Sequence, residues 1–111
     1  MDHKQIVQIA VNALDDIKGE NIVVIDTHST SSLFGAIVIC TGNSNRQVSA
    51  LANNVAADFK DNNISIIGME GNRGGEWVLV DGGEVVVHIM LPHVRQYYDL
   101  ETLWNGQANK D

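Results

Sequence analysis

At 111 residues the chain fits one domain with a real core and leaves no room for a second. A formal charge of -7 and a pI near 4.8 exclude a direct, sequence-independent grip on nucleic acid, whose affinity comes from Lys and Arg neutralising phosphates. The single cysteine excludes an internal disulfide, and no apolar run approaches the roughly eighteen residues that span a bilayer. The amino terminus, MDHKQIVQ, lacks the basic segment and long apolar run of a secretory signal, so a cytoplasmic location is expected.

From about His3 to Ile17, Ile6, Val7, Ile9, Ala10, Val11, Ala13, Leu14 and Ile17 spread over a wide helical face, with Gln5, Gln8, Asn12 and Asp16 on the wet side. Lys18 and Gly19 supply a helix stop, with Gly19 expected to take a positive φ. Asn21 to Asp26 reads as a short buried strand, and His28 to Ser32 as a polar turn. Ala36 to Cys40 is short and rich in β-branched residues, which predicts a second strand. Cys40 reads as a structural thiol, because nothing nearby in the sequence would lower its pKa.

Thr41-Gly42-Asn43-Ser44-Asn45-Arg46 leads into a helix over about Asn45 to Asp61, whose Val48, Leu51, Ala52, Val55 and Phe59 form one stripe. Ile64 to Met69 is expected to be a third strand, and Gly71 to Gly75 a loop. Trp77 to Asp81 and Val85 to Leu91 read as two more strands, joined by a tight turn at Asp81-Gly82-Gly83-Glu84. Pro92 opens a last helix expected to reach Trp104, and the polar tail 106–111 is expected to fray after a single domain over 1–105. The order helix, two strands, helix, three strands, helix predicts an α/β fold: a mixed five-stranded sheet flanked by helices.

Alternation divides the two late strands. Trp77, Leu79 and Asp81 share one face with Val78 and Val80 on the other, while Val86, His88 and Met90 alternate with Val85, Val87, Ile89 and Leu91. Both rows are largely apolar, so one faces the core and the other needs a cover. Glu70, Glu76, Asp81, Glu84, Asp99 and Glu101 outnumber Arg73 and Arg95 between Glu70 and Trp104, a balance that would steer a basic partner to this region.

Catalytic chemistry finds little support. The strand, Gly42-Asn43-Ser44, helix arrangement has neither the Walker spacing nor the three-glycine dinucleotide fingerprint. Arg46 stands where the second glycine of a nucleophile elbow belongs. Ser44 with Gln47 instead predicts a capping box. A nucleotidyltransferase would also place two carboxylates on the following strand to hold magnesium, whereas Ile64 to Met69 has none and Glu70 is alone. His3, His28, His88 and His93 show no metal-ligand spacing, so neither metal nor cofactor is expected.

Gly42-Asn43-Ser44, Glu70-Gly71, Trp77-Val78-Leu79-Val80-Asp81, Val85-Val86-Val87-His88 and Arg95-x-Tyr97-Tyr98-Asp99-Leu100-Glu101-x-Leu103-Trp104 together resemble the ribosomal silencing factor family, RsfS, also called Iojap-like. The resemblance covers about Ile6 to Trp104. It implies a nucleotidyltransferase-like α/β fold without the catalytic carboxylates, and no enzymatic activity. It further implies binding to the large ribosomal subunit through its ribosomal protein fourteen, at the face where the small subunit docks. Subunit joining would be blocked and translation repressed when nutrients are scarce. Matching positions point to Trp77, Leu79, Asp81, His88, Met90 and Tyr98 as contacts. Homodimers are expected of the free protein, together with at most a minor contact to ribosomal RNA through Arg73 or Lys60. The alternative is a vestigial nucleotide-binding or transferase protein that uses the Gly42-Asn43-Ser44 turn with Glu70. The chain departs from the family pattern at Gly35 and Ala36, where an acid and an aromatic are usual, and at Gly82, where a larger residue is common.

Overall fold

In the computed structural model, residues 2–26, 35–71 and 75–98 are described, with side chains through Gln96. Helix α1 spans His3–Asp16 and is followed by strands β1 (Glu20–Asp26) and β2 (Ala36–Thr41). Helix α2 (Asn45–Asp61), strands β3 (Gly68–Glu70), β4 (Trp77–Asp81) and β5 (Val85–Met90), and helix α3 (Pro92–Tyr98) complete the order. The strands form one sheet in the order β1-β2-β5-β4-β3. Only β2 and β5 run parallel; the other neighbours are antiparallel. The parallel partner of β2 is therefore not the next strand in sequence but the last, reached through α2, β3 and β4.

Asp2 starts α1 with a full capping box: its carboxylate accepts from the Gln5 N–H at 3.0 Å, and the Gln5 side chain accepts from the Asp2 N–H at 3.1 Å. Beyond α1 the left-handed residue is Lys18, at φ 63°, rather than Gly19. Gly19 serves a different need: a Cβ there would stand 2.5 Å from Cys40 Sγ and 3.1 Å from Leu51, so its bareness lets β2 and α2 close in. Gly35 and Gly82 meet the same need, since a Cβ would come within 2.6 Å of the His3 ring and 2.7 Å of the Phe59 ring.

Helices α1 and α2 pack on one face of the sheet, and the inward row Val38, Cys40, Val78, Val80, Val85, Val87 and Ile89 is fully buried beneath them with Leu14, Leu51, Val55 and Phe59. Every residue of β2 is buried, as a strand covered on both faces requires. Burial also raises the Cys40 thiol to about 11, which keeps it neutral and inert. On the opposite face, Arg95 of α3 donates to Thr41 Oγ1 at 2.8 Å and to the Asn21 carbonyl at 2.6 Å, tying that helix to the β1–β2 side.

One expected extent changes by more than a residue. Strand β3 is confined to Gly68–Glu70 instead of Ile64–Met69. Its register, Gly68 opposite Asp81, brings the ladder to the hairpin turn, where the Ile67 N–H still bonds the Asp81 carbonyl at 2.8 Å but residues 64–66 have no β4 residue left to pair with. Ile64 instead turns inward after α2, its N–H bonded to the Phe59 carbonyl, while Ile67 is 71% exposed. Helix α3 is described as far as Tyr98; the rest of the expected helix to Trp104, the turn at His28 to Ser32, Arg73 and the tail 106–111 lie outside the described residues.

Candidate functional site

The β4–β5 hairpin is closed by Asp81 and Gly83. The Asp81 carboxylate accepts from the Gly83 N–H at 2.8 Å, and Gly83 adopts φ 88°, a conformation open to glycine at no steric cost. That turn fixes a register in which Leu79 lies opposite His88, Asp81 opposite Val86, and Trp77 opposite Met90. Strand β3 adds Glu70 opposite Leu79. Trp77, Leu79, Asp81, Val86 and His88 thus share the face of the sheet away from α1 and α2, and all are half-buried.

Across this face Trp77 and His88 meet diagonally. The indole Nε1–H donates to His88 Nδ1 at 3.0 Å, with ring centroids 5.9 Å apart and planes inclined at 48°. Burial pushes the His88 imidazole down to about 4, because a charged ring would lose hydration here. It is neutral at pH 7, with Nδ1 as acceptor and the proton on Nε2. Glu70, Gly71, Trp77, Leu79 and His88 line a shallow depression of about 220 Å³. Gly71, at φ 82°, is needed beside it, since a Cβ there would collide with the Trp77 carbonyl. An apolar floor with the Glu70 carboxylate at its margin, and Asp81 further along the same face, can bury a partner's apolar groups while favouring positive charge nearby.

The expected contacts are therefore distributed unequally. Trp77, Leu79, Asp81 and His88 come together on one accessible face. Met90 requires a correction: it belongs to the same row yet is completely buried, so it offers no area to a partner. Alternation sets its direction, but between Thr41 and Trp77, where the chain turns into α3, the outer face is covered. The Tyr98 side chain lies outside the described residues. Glu70 and Val86 join the face without being among the expected contacts; alternation alone puts Val86 in the row of His88, whereas Glu70 is brought in only by the β3–β4 register.

The Gly42-Asn43-Ser44 turn is occupied by its own side chains. Ser44 Oγ accepts from the Gln47 N–H at 3.1 Å, but Gln47 Oε1 accepts from Asn43 rather than from Ser44, at 2.7 Å. The same Gln47 amide donates to the carbonyls of Ile17 and Lys18, so the residue fastens the end of α1 to the start of α2. A second, polar crevice of about 420 Å³ lies between Glu20, Asn43, Arg95 and Gln96, with Asn43 bonded to Glu20 at 2.8 Å. Among the described residues, no group of three or more His, Cys, Asp or Glu is placed to hold a metal ion. No described helix is long and apolar enough to cross a membrane.

A family model described as ribosomal silencing factor during starvation matches residues 1–111. The chain belongs to the RsfS family. A ribosomal silencing factor RsfS of Chromobacterium violaceum is 53% identical over 107 residues, covering 96% of this chain and 88% of its own. A crystal structure of a protein from the same organism is similar with a TM-score of 0.93 at 52% identity, over 95% of this chain and 88% of that one. More distantly, a mouse protein named mitochondrial assembly of ribosomal large subunit protein 1 is 29% identical over 108 residues, which is 95% of this chain and 47% of the mouse protein. RsfS membership accounts for the sequence motifs that run from Gly42 to Trp104.

Proposed function

We propose that this chain is a non-enzymatic translational repressor that binds the large ribosomal subunit through its ribosomal protein fourteen and sterically blocks joining of the small subunit when nutrients are limiting. The observation that carries this reading is the half-open face of β4 and β5, where Trp77, Leu79 and His88 line a depression beside Glu70, with Asp81 further along the same face. Apolar area of this kind, centred on a tryptophan and edged by acids, has the composition of a protein-binding patch. Family membership supplies the ribosome as its target, and the mouse relative's name speaks of the large subunit. Binding alone suffices for silencing, because a rigid domain seated on one ribosomal protein occupies space that the other subunit needs.

The same reading takes residues 1–105 as one domain working in the cytoplasm, homodimeric when free, with at most a minor contact to ribosomal RNA. It regards the fold as nucleotidyltransferase-like without that enzyme's carboxylates. A vestigial nucleotide site at Ser44 is disfavoured, since the Asn43 N–H is bonded to Gln47 and the Ser44 Oγ caps helix α2.

The test is co-sedimentation with large subunits followed by a subunit-joining assay. Trp77→Glu would place a charge in the centre of the patch, and it is expected to weaken subunit binding by about 2 to 4 kcal/mol and to restore joining. Unchanged co-sedimentation of a variant that circular dichroism shows to be folded would refute the assignment.

A further inference from the structure

We propose that His88 is a positioning residue for docking: by accepting the indole N–H of Trp77, it fixes the ring in the orientation that shapes the partner-binding depression. The proposal rests on the docking role of this face and assigns His88 a part that differs from direct contact.

The register explains why such a device is needed. Trp77 lies directly opposite Met90, not His88, so its ring must lean along the sheet by two residues to reach the imidazole. A tryptophan on an open sheet face has several staggered orientations available, and packing on one side alone does not select among them. The 3.0 Å bond selects one. Of the residues beside it on this face, Leu79 is apolar and Met90 offers only a weakly accepting thioether within the buried interior, so neither supplies this acceptor.

The bond has a second consequence. A buried indole N–H without an acceptor costs free energy, and a partner closing over Trp77 would have to supply one. With His88 already in that role, the face presents an apolar ring whose polar demand is met before the partner arrives. A partner can then be matched by shape and by positive charge towards Glu70, the titratable residue that shares the depression with His88. Less ordering is left for the moment of association, which is the basis of preorganised affinity.

The experiment uses the full chain with Trp104→Phe, which leaves Trp77 as the sole tryptophan reporter. His88→Leu removes the acceptor while keeping an apolar side chain of comparable bulk; His88→Gln retains a side-chain acceptor. Far-UV circular dichroism and thermal melts report the fold, near-UV circular dichroism reports the indole's fixed orientation, and co-sedimentation with large subunits reports docking. For His88→Leu we expect a folded protein with a diminished near-UV indole band and subunit affinity reduced about tenfold, equivalent to about 1.4 kcal/mol. His88→Gln is expected to recover most of both signals. Lost affinity with an unchanged indole band would overturn the proposal by making His88 a direct contact, and unchanged affinity with a weakened band would show that ring orientation does not matter. Should His88→Leu fail to fold, His88→Gln decides alone, because positioning requires its band and its affinity to change together. Failure of the parent protein to sediment with large subunits would instead remove the docking role itself.

Discussion

Met90 and His88 leave the same face of β5 two residues apart, yet one is fully buried and the other borders an open depression. For Met90 the consequence is structural. Met90→Ala removes a packed side chain at a site with no solvent to fill it, and it is expected to cost about 2 to 5 kcal/mol in chemical denaturation. Subunit affinity per folded molecule should change little. His88 has a pH signature instead. In the unfolded chain its imidazole protonates near 6.5, whereas in the native protein it resists protonation down to about 4. The contribution to stability is thus present above pH 6.5 and declines as pH falls towards 4, by at most about 3 kcal/mol at 1.36 kcal/mol per unit. Comparing denaturation of the parent and His88→Leu at pH 7.5 and 4.5 checks this: the parent should lose more stability than the variant.

Among the elements, the stripes of α1 and α2 and the alternation in β4 and β5 are legible from spacing alone, because those patterns are repeated within each element. Strand β3 is not, since a β-branched run states a preference while the ladder ends where its partner ends. The helix starts fall between these cases. Ser44 caps α2 as its type and position suggest, while the carboxamide of Gln47 settles on Asn43 and on the end of α1. Ser44→Ala is therefore expected to cost about 1 kcal/mol of stability through the lost cap. Its co-sedimentation with large subunits should match that of the parent, whereas a role for Ser44 in nucleotide chemistry would instead appear as ligand binding in calorimetry that the substitution abolishes.

At the scale of the molecule, a net charge of -7 combines with the Glu70 carboxylate at the depression and Asp81 on the same face. On the proposed docking to ribosomal protein fourteen, association with that isolated protein is expected to slow several-fold between about 0.1 and 1 M salt, as the Debye length falls from about 10 to 3 Å. Stopped-flow measurement at graded ionic strength tests this, and an on-rate indifferent to salt would count against charge steering. Trp77→Glu should act mainly on dissociation, since central apolar contacts form after encounter.

What the sequence determined by itself were the features set by neighbours along the chain: the order of elements, the two rows of β4 and β5, the glycine turn between them, and the motifs that mark the RsfS family. Only the tertiary structure decided the pairing of β2 with β5, the shortness of β3, the burial of Met90, and the meeting of Trp77 with His88. The physical reason is common to all four. Periodicity tells a side chain which way to point, but what it meets there is supplied by segments distant in sequence, and covering or pairing becomes definite only when those segments are brought together.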